Sequence, residues 1–114
     1  MNALVILSSA LLCFHGHCYH ALVGNKTPTG VFMVHHMLTK QAGYGGDILV
    51  FKEDKKYCYA IHRMWLGNPK QHRAEKLASN NQEQRKNVTL GCINVAPEVY
   101  DELKNLKKLE IRTN

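Results

Sequence analysis

The stretch LLCFHGHCYH at residues 11–20 carries the strongest fold signal near the start of the chain. His15 and Gly16 supply a two-residue turn between an apolar run, Leu4–Phe14, and a second extended run, His17–Val23. Two extended runs separated by such a turn predict a β-hairpin. The chain is therefore expected to open as β structure.

Five potential metal ligands crowd this hairpin, but folding separates them. His15 lies in the turn and His17 points to one face, whereas Cys13, Cys18 and His20 share the other. A second Cys/His pair at the usual zinc spacing is missing. We therefore expect no metal here. The directly opposed cysteines predict a cross-strand disulfide in an oxidising compartment, or two strand thiols in a reducing one.

Extended runs continue outward from the hairpin. A glycine-rich loop is expected at 41–46, and further strands are predicted at 30–37, 47–52, 57–64 and 107–113.

Two segments depart from this β pattern. Pro97 opens a predicted helix that runs to about Leu106, with Val99, Leu103 and Leu106 on its apolar face. The polar segment 65–88 contains a possible short helix around 71–78, and so long a loop in a small domain is typically functional or mobile. The expected fold is mainly β, with one or two short helices in a single domain at 1–114.

Length and composition narrow the functional classes. The chain has 114 residues and a formal net charge of +6, which suits one domain and favours an anionic partner. The basic residues are scattered and no nucleic-acid-binding motif is visible, so no nucleic-acid partner is predicted. The apolar run ALVILSSALLCF at 3–14 is too short to span a bilayer and lacks the flanking parts of a signal peptide. We expect this run to form part of the folded domain and not to insert into a membrane.

Cys92 differs from the other cysteines in its setting, VTLGCINV at 88–95. Gly91 permits close approach of a ligand to the backbone, and backbone N–H groups at Gly91 and Cys92 could hold an oxyanion. Such a setting suits a thiol nucleophile. The alternative from local composition is a small buried strand residue.

The segments TPTGVF, AIHR and TLGCINV, in that order, resemble the catalytic domain of the YkuD-like L,D-transpeptidase family of bacterial cell-wall enzymes. The opening hairpin is also similar, so the likeness covers nearly the whole chain. It implies an L,D-transpeptidase-type β-sandwich in which His62 lies on a strand. The family's nucleophile motif falls on Thr89, Gly91, Cys92 and Asn94.

Three departures from the family pattern stand out. Arg63-Met64 occupy the place where Gly-Thr often follows the strand histidine, and Leu90 replaces a frequent histidine. His62 also lies 30 positions before Cys92, because the polar segment intervenes, whereas His72 lies only 20 positions before it. We favour His62 as the base because an apolar strand holds it more rigidly than a polar loop would hold His72. His35 and His36 face opposite ways on their strand, so at most one could reach a site.

The resemblance implies a substrate and a reaction. Cys92 would attack the bond between the L-configured centre and the terminal D-alanine of a peptidoglycan tetrapeptide stem, with His62 as the base and no cofactor. An amine of a second stem would then give a 3-3 cross-link. Arg63 and Arg73 would clamp substrate carboxylates, Thr89 and Asn94 would shape the site, and Trp65 would pack or face the substrate, with 65–88 as a lid.

The same site could instead act as an L,D-carboxypeptidase or exchange a D-amino acid. A non-catalytic peptidoglycan-binding module and a cysteine hydrolase of another substrate class are the remaining alternatives. The implied substrate places the protein in the cell envelope or periplasm, although the chain shows no clear export signal. The oligomeric state is left open.

Overall fold

The computed structural model describes residues 1–41 and 44–114, in which two β-sheets pack around a main core and a small second cluster is formed by Ile48, Val50 and Ala60. Part of the predicted glycine-rich loop, at 42–43, lies outside the described residues. The strands are β1 Asn2–Ile6, β2 Leu11–Phe14, β3 His17–His20, β4 Gly30–Met33, β5 His35–Met37, β6 Ile48–Glu53, β7 Cys58–Arg63, β8 Ile93–Val95 and β9 Lys108–Arg112. The helices are α1 Arg73–Ala78 and α2 Pro97–Glu102, with 3-10 turns at Pro69–Gln71 and Gln82–Arg85.

The opening hairpin forms in the register that the sequence predicts. Phe14 pairs with His17 and Cys13 with Cys18 across the turn, where Gly16 has a φ of 80°. A glycine suits this left-handed backbone because it has no Cβ to clash. Cys13 and Cys18 are joined by a disulfide, which is the first of the two predicted states.

The prediction of one strand through Leu4–Phe14 was wrong. The chain turns between β1 and β2, and these strands pair antiparallel, with Ile6 opposite Leu11. Ala10 closes this turn with a φ of 50° and donates its N–H to the Leu7 carbonyl. The turn carries Ser8 and Ser9 but is flanked by apolar side chains, with Ala10 fully buried, and so short a polar interruption was not recognised as a turn signal.

The predicted strand at 30–37 is likewise divided, because its two halves enter different sheets. β4 is an edge of the five-stranded sheet β3-β2-β1-β9-β4, and β5 is an edge of the four-stranded sheet β5-β6-β7-β8. Val34 lies between them, buried, with its N–H donated to the Lys107 carbonyl. A single run of sequence therefore crosses from one layer to the other.

The core lies between the two sheets and under α2. The helix is shorter than predicted and ends at Glu102, yet Val99, Leu103 and Leu106 are all buried as its apolar pattern required. β9 forms as predicted and lies inside its sheet, parallel to β1 and antiparallel to β4. The predicted fold class, a mainly β single domain with short helices, is confirmed.

Candidate active site

Two neighbouring parallel strands bring the predicted nucleophile and base together. β7 pairs with β8 so that Ile61 lies opposite Ile93 and His62 opposite Asn94. Cys92 immediately precedes β8, so the 30-position separation in sequence closes to adjacent strands. Residues opposite each other on paired strands project to the same face, and His62 and Asn94 therefore meet side by side.

A cavity of about 220 Å³ opens at this point. Of the predicted site residues, His62, Trp65, Arg73, Thr89, Cys92 and Asn94 all line it, and the other lining residues among those that the structure describes are Gln41, Tyr44 and Leu90.

The His62 imidazole is held by a hydrogen bond at each nitrogen. Nδ1 donates to the Arg63 carbonyl at 2.7 Å, which makes Nε2 the acceptor nitrogen, and Nε2 receives the Asn94 amide at 3.3 Å. Only 4% of His62 is exposed, and this burial lowers its pKa to about 4, aided by the nearby Arg73 charge and opposed by the Arg63 carbonyl. His62 is therefore neutral at pH 7.

Arg73 connects α1 to this pair. Its Nη1 donates to Asn94 Oδ1 at 2.6 Å and its Nε donates to Gln71 Oε1 at 2.9 Å. Asn94 is fully buried, and its amide thus bridges the guanidinium and the imidazole. The predicted Arg73 and Asn94 contribute to the same network as the base, which no local sequence pattern indicated.

The Cys92 thiol faces the backbone of β7. Sγ donates to the Cys58 carbonyl at 3.5 Å. Burial raises the pKa of Cys92, opposed by the Ala60 N–H and the Arg73 charge. With the imidazole pKa lowered as well, the pair rests as neutral thiol and neutral imidazole rather than as an ion pair.

Thr89 and Gly91 shape the turn that carries Cys92. Thr89 Oγ1 donates to the Cys92 carbonyl at 2.6 Å and accepts the Gly91 N–H at 3.2 Å. A Cβ on Gly91 would lie 2.6 Å from the Tyr59 ring. Glycine is thus required here by packing against Tyr59, and its N–H, predicted as an oxyanion donor, already bonds Thr89.

Arg63 does not line the cavity. Its guanidinium bonds Asp47 Oδ1 at 2.9 Å and lies 4.2 Å from the centre of the Tyr100 ring. Burial raises the pKa of Asp47, but hydrogen bonds from His36 and Arg63 and the Arg63 charge outweigh it and lower that pKa. Arg63 therefore connects β7 to Asp47 and to Tyr100 of α2. Its predicted role as a carboxylate clamp has no support in this geometry.

The rival histidines lie elsewhere. His72 is exposed beside Glu75, at 3.8 Å, and lines a neighbouring cavity that shares only Trp65 and Arg73 with the described lining of this one. His35 and His36 are exposed on β5, where they approach Glu53 and Asp47 respectively.

The polar segment 65–88 is fastened to the body of the protein. Leu77 of α1 is buried, and Arg85, which is only 3% exposed, donates to the Ser9 carbonyl at 2.7 Å and the Ala10 carbonyl at 3.2 Å. Arg73 and Trp65 from the same segment reach the cavity. The segment therefore forms one wall of the site.

Sequence reasoning missed three neighbours of the cysteine and histidine. Tyr44 packs its ring edge-on against His62, with centroids 4.9 Å apart, Gln41 completes the cavity rim, and Cys58 accepts the thiol hydrogen bond. A tyrosine set among glycines in QAGYGG was the only available signal, and it indicated a loop rather than a site.

Neither a metal-binding cluster nor a membrane-spanning helix is present in residues 1–41 and 44–114. No group of three or more His, Cys, Asp or Glu side chains there is arranged to hold a metal ion. No helix in the same ranges is both long and apolar enough to cross a membrane.

Comparison with known proteins identifies the fold. No protein-family model matches the chain, and no curated protein matches it significantly. The crystal structure of the L,D-transpeptidase (residues 123–326) from Xylanimonas cellulosilytica DSM 15894 is similar, with a TM-score of 0.58, 15% identity, and coverage of 97% of this chain and 59% of that one. An L,D-transpeptidase from Mycobacterium smegmatis gives a TM-score of 0.54 at 12% identity, covering 97% of this chain and 58% of its own. This chain has the L,D-transpeptidase fold and spans under two thirds of either structure.

Proposed function

We propose that this protein is a cysteine-dependent L,D-transpeptidase that acts on peptidoglycan stem peptides in the cell envelope. The observation that supports this most is the shared cavity. It contains a thiol, a buried neutral imidazole oriented by a backbone carbonyl, and a guanidinium. These are the nucleophile, base and anion-binding group that acyl transfer from an anionic peptide needs.

The first step requires a proton to leave Cys92. His62 is in the tautomer that accepts at Nε2, because Nδ1–H is held by the Arg63 carbonyl. The thiol now donates to Cys58 and Nε2 accepts from Asn94. Rotation of the thiol from Cys58 towards Nε2, with release of the Asn94 bond, makes the thiolate as the substrate carbonyl arrives.

The thiolate then attacks the carbonyl of the L-configured centre and expels D-alanine. The Cys92 N–H is the remaining predicted backbone donor for the oxyanion, since the Gly91 N–H bonds Thr89. Imidazolium formed in the first step returns its proton to the leaving amine. A thioester on Cys92 results, and an amine of a second stem resolves it into a 3-3 cross-link.

Arg73 is the group we assign to the substrate carboxylate. It is the only formal cation among the described lining residues, which include no Asp or Glu. Guanidinium has five N–H donors, and its bonds to Asn94 and Gln71 engage two of its nitrogens. The electropositive wall favours a donor peptide that ends in a carboxylate.

The test is product analysis after incubation with one synthetic tetrapeptide stem as donor and a second stem as acceptor. Mass spectrometry is expected to show D-alanine release and a cross-linked dimer with the wild type, and neither with Cys92→Ala. Cys58→Ala is the matched control, because it removes the other free thiol and should retain turnover. Release of D-alanine without dimer would assign the alternative L,D-carboxypeptidase reaction, and a swapped D-amino acid would assign exchange.

One observation favours a second candidate, the non-catalytic peptidoglycan-binding module. In this structure the thiol and the imidazole each bond a different partner. A module of this kind would sediment with peptidoglycan whether or not Cys92 is present, and would yield no product in the same assay. Pulldown of wild type and Cys92→Ala alongside the product analysis separates the two.

A further inference from the structure

Cys58 and Cys92 are the two free cysteines of the chain, since Cys13 and Cys18 are bridged. Both are half-buried, and the Cys92 thiol already touches the Cys58 residue at its carbonyl, 3.5 Å away. The proposed reaction uses Cys92 but gives no role to Cys58.

The strand register places the two cysteines on one face of the sheet. Ile61 lies opposite Ile93, and continuing that register one step towards the N-terminus sets Ala60 opposite Cys92. Cys58 lies two residues before Ala60 and projects to the same face. Cys92 Sγ lies 3.5 Å from the Cys58 carbonyl oxygen, and a disulfide needs the two Cβ atoms about 4 Å apart, so closure requires a shift of one cysteine towards the other.

The position of Cys92 allows such a shift. It lies just before β8 begins and is not part of the paired ladder that starts at Ile93. Cys58, by contrast, is paired with Glu53 on β6. Movement is therefore expected on the Cys92 side.

We infer that Cys58 is a resolving thiol that captures oxidised Cys92 in a reversible disulfide. In the first step the Cys92 thiolate attacks a peroxide oxygen, the O–O bond breaks, and a sulfenic acid and hydroxide form. The Cys58 thiolate then attacks the Cys92 sulfur, displaces hydroxide, which takes up a proton as water, and forms the S–S bond. A dithiol reductant supplies the two electrons and two protons that reverse it.

The Cys58–Cys92 disulfide protects Cys92 from irreversible oxidation, and the nucleophile is absent for as long as the disulfide persists. The loss of acyl transfer rests on the proposed function, whereas disulfide formation does not. A chain that turns over no stem peptide still forms the Cys58–Cys92 bond, so failure of one claim is distinguishable from failure of the other.

The experiment is peroxide treatment of the folded protein with Cys13–Cys18 intact, followed by trypsin digestion without reduction. Cleavage after Lys and Arg puts the four cysteines on three peptides, 1–26, 57–63 and 87–104. The expected result is loss of both free thiols and a cross-link between 57–63 and 87–104, with both thiols recovered after dithiothreitol. In Cys58→Ser, Cys92 should instead form a dimedone adduct when dimedone is present, and should gain two oxygens as sulfinic acid when it is absent.

Three results would overturn the inference. Peptide 87–104 of the wild type could gain oxygen as fast as in Cys58→Ser, the cross-link could join 57–63 to 1–26, or it could join two molecules. The wild-type digest decides the second and third of these results without any variant. Cys58→Ala, checked by circular dichroism, replaces Cys58→Ser if the serine disturbs folding.

Discussion

Lowering the pH from 7 to 4.5 is expected to reduce the free energy of unfolding by about 2.4 kcal/mol through His62 alone. Burial lowers the pKa of His62 in the folded protein to about 4, against an ordinary value of 6.5. Between these two pH values the His62 imidazole is mostly protonated in the unfolded chain and mostly neutral in the folded protein. The stabilisation is therefore complete above about pH 6.5 and is lost as the pH falls towards about 4.

Urea titration at half-unit pH intervals measures this directly, because the free energy of unfolding extrapolates linearly with denaturant. His62→Gln supplies the matched control, since glutamine keeps a polar side chain but cannot titrate. Asp47 also has a lowered pKa, but its effect on stability appears only below its ordinary pKa of 3.8, outside the range from pH 4.5 to 7. An equal slope between pH 4.5 and 7 in wild type and His62→Gln would refute the assignment of a buried neutral imidazole.

Three further outcomes follow from the site. The rate of Cys92 alkylation by iodoacetamide should keep rising above pH 9, because burial raises the thiol pKa; a plateau near neutral pH would instead indicate a resting ion pair. His62→Gln should slow acylation of Cys92 by a carbapenem by about 100-fold, whereas His72→Ala should leave the rate unchanged, and the opposite result would make His72 the base. Gly91→Ala should cost about 1–3 kcal/mol, because its Cβ would lie 2.6 Å from the Tyr59 ring; an unchanged urea midpoint would contradict this packing.

Local signals in the sequence were sufficient where one short segment sets its own geometry. The His15-Gly16 turn defined the pairing of Cys13 with Cys18, and Pro97 with its apolar spacing located α2. The breaks after Ile6 and at Val34 were missed, because Ser8 and Ser9 interrupt an apolar run only briefly and Val34 stays buried while the chain changes sheet. Sheet membership depends on long-range pairing, which a hydrophobic pattern does not encode.

The residues of the candidate site likewise divide into those that the sequence signalled and those that it did not. Cys92 and His62 were predicted from short patterns and a family resemblance, and both line one cavity. Arg63 was placed beside His62 in the site, yet adjacent residues on a strand face opposite ways. Tyr44 and Cys58 gave no usable signal, because only the packing of β7 against β8 and the loop before β6 brings them near the thiol.

The proposed function rests on Cys92 being a nucleophile that its cavity activates. Its most direct test is the intact mass of the protein after incubation with a carbapenem, whose strained amide a nucleophilic thiol opens, compared with Cys92→Ala and Cys58→Ala. The expected result is one covalent adduct on the wild type and on Cys58→Ala, and none on Cys92→Ala. No adduct on any of the three, in folded protein, would contradict the enzyme assignment and leave the peptidoglycan-binding module as the better explanation.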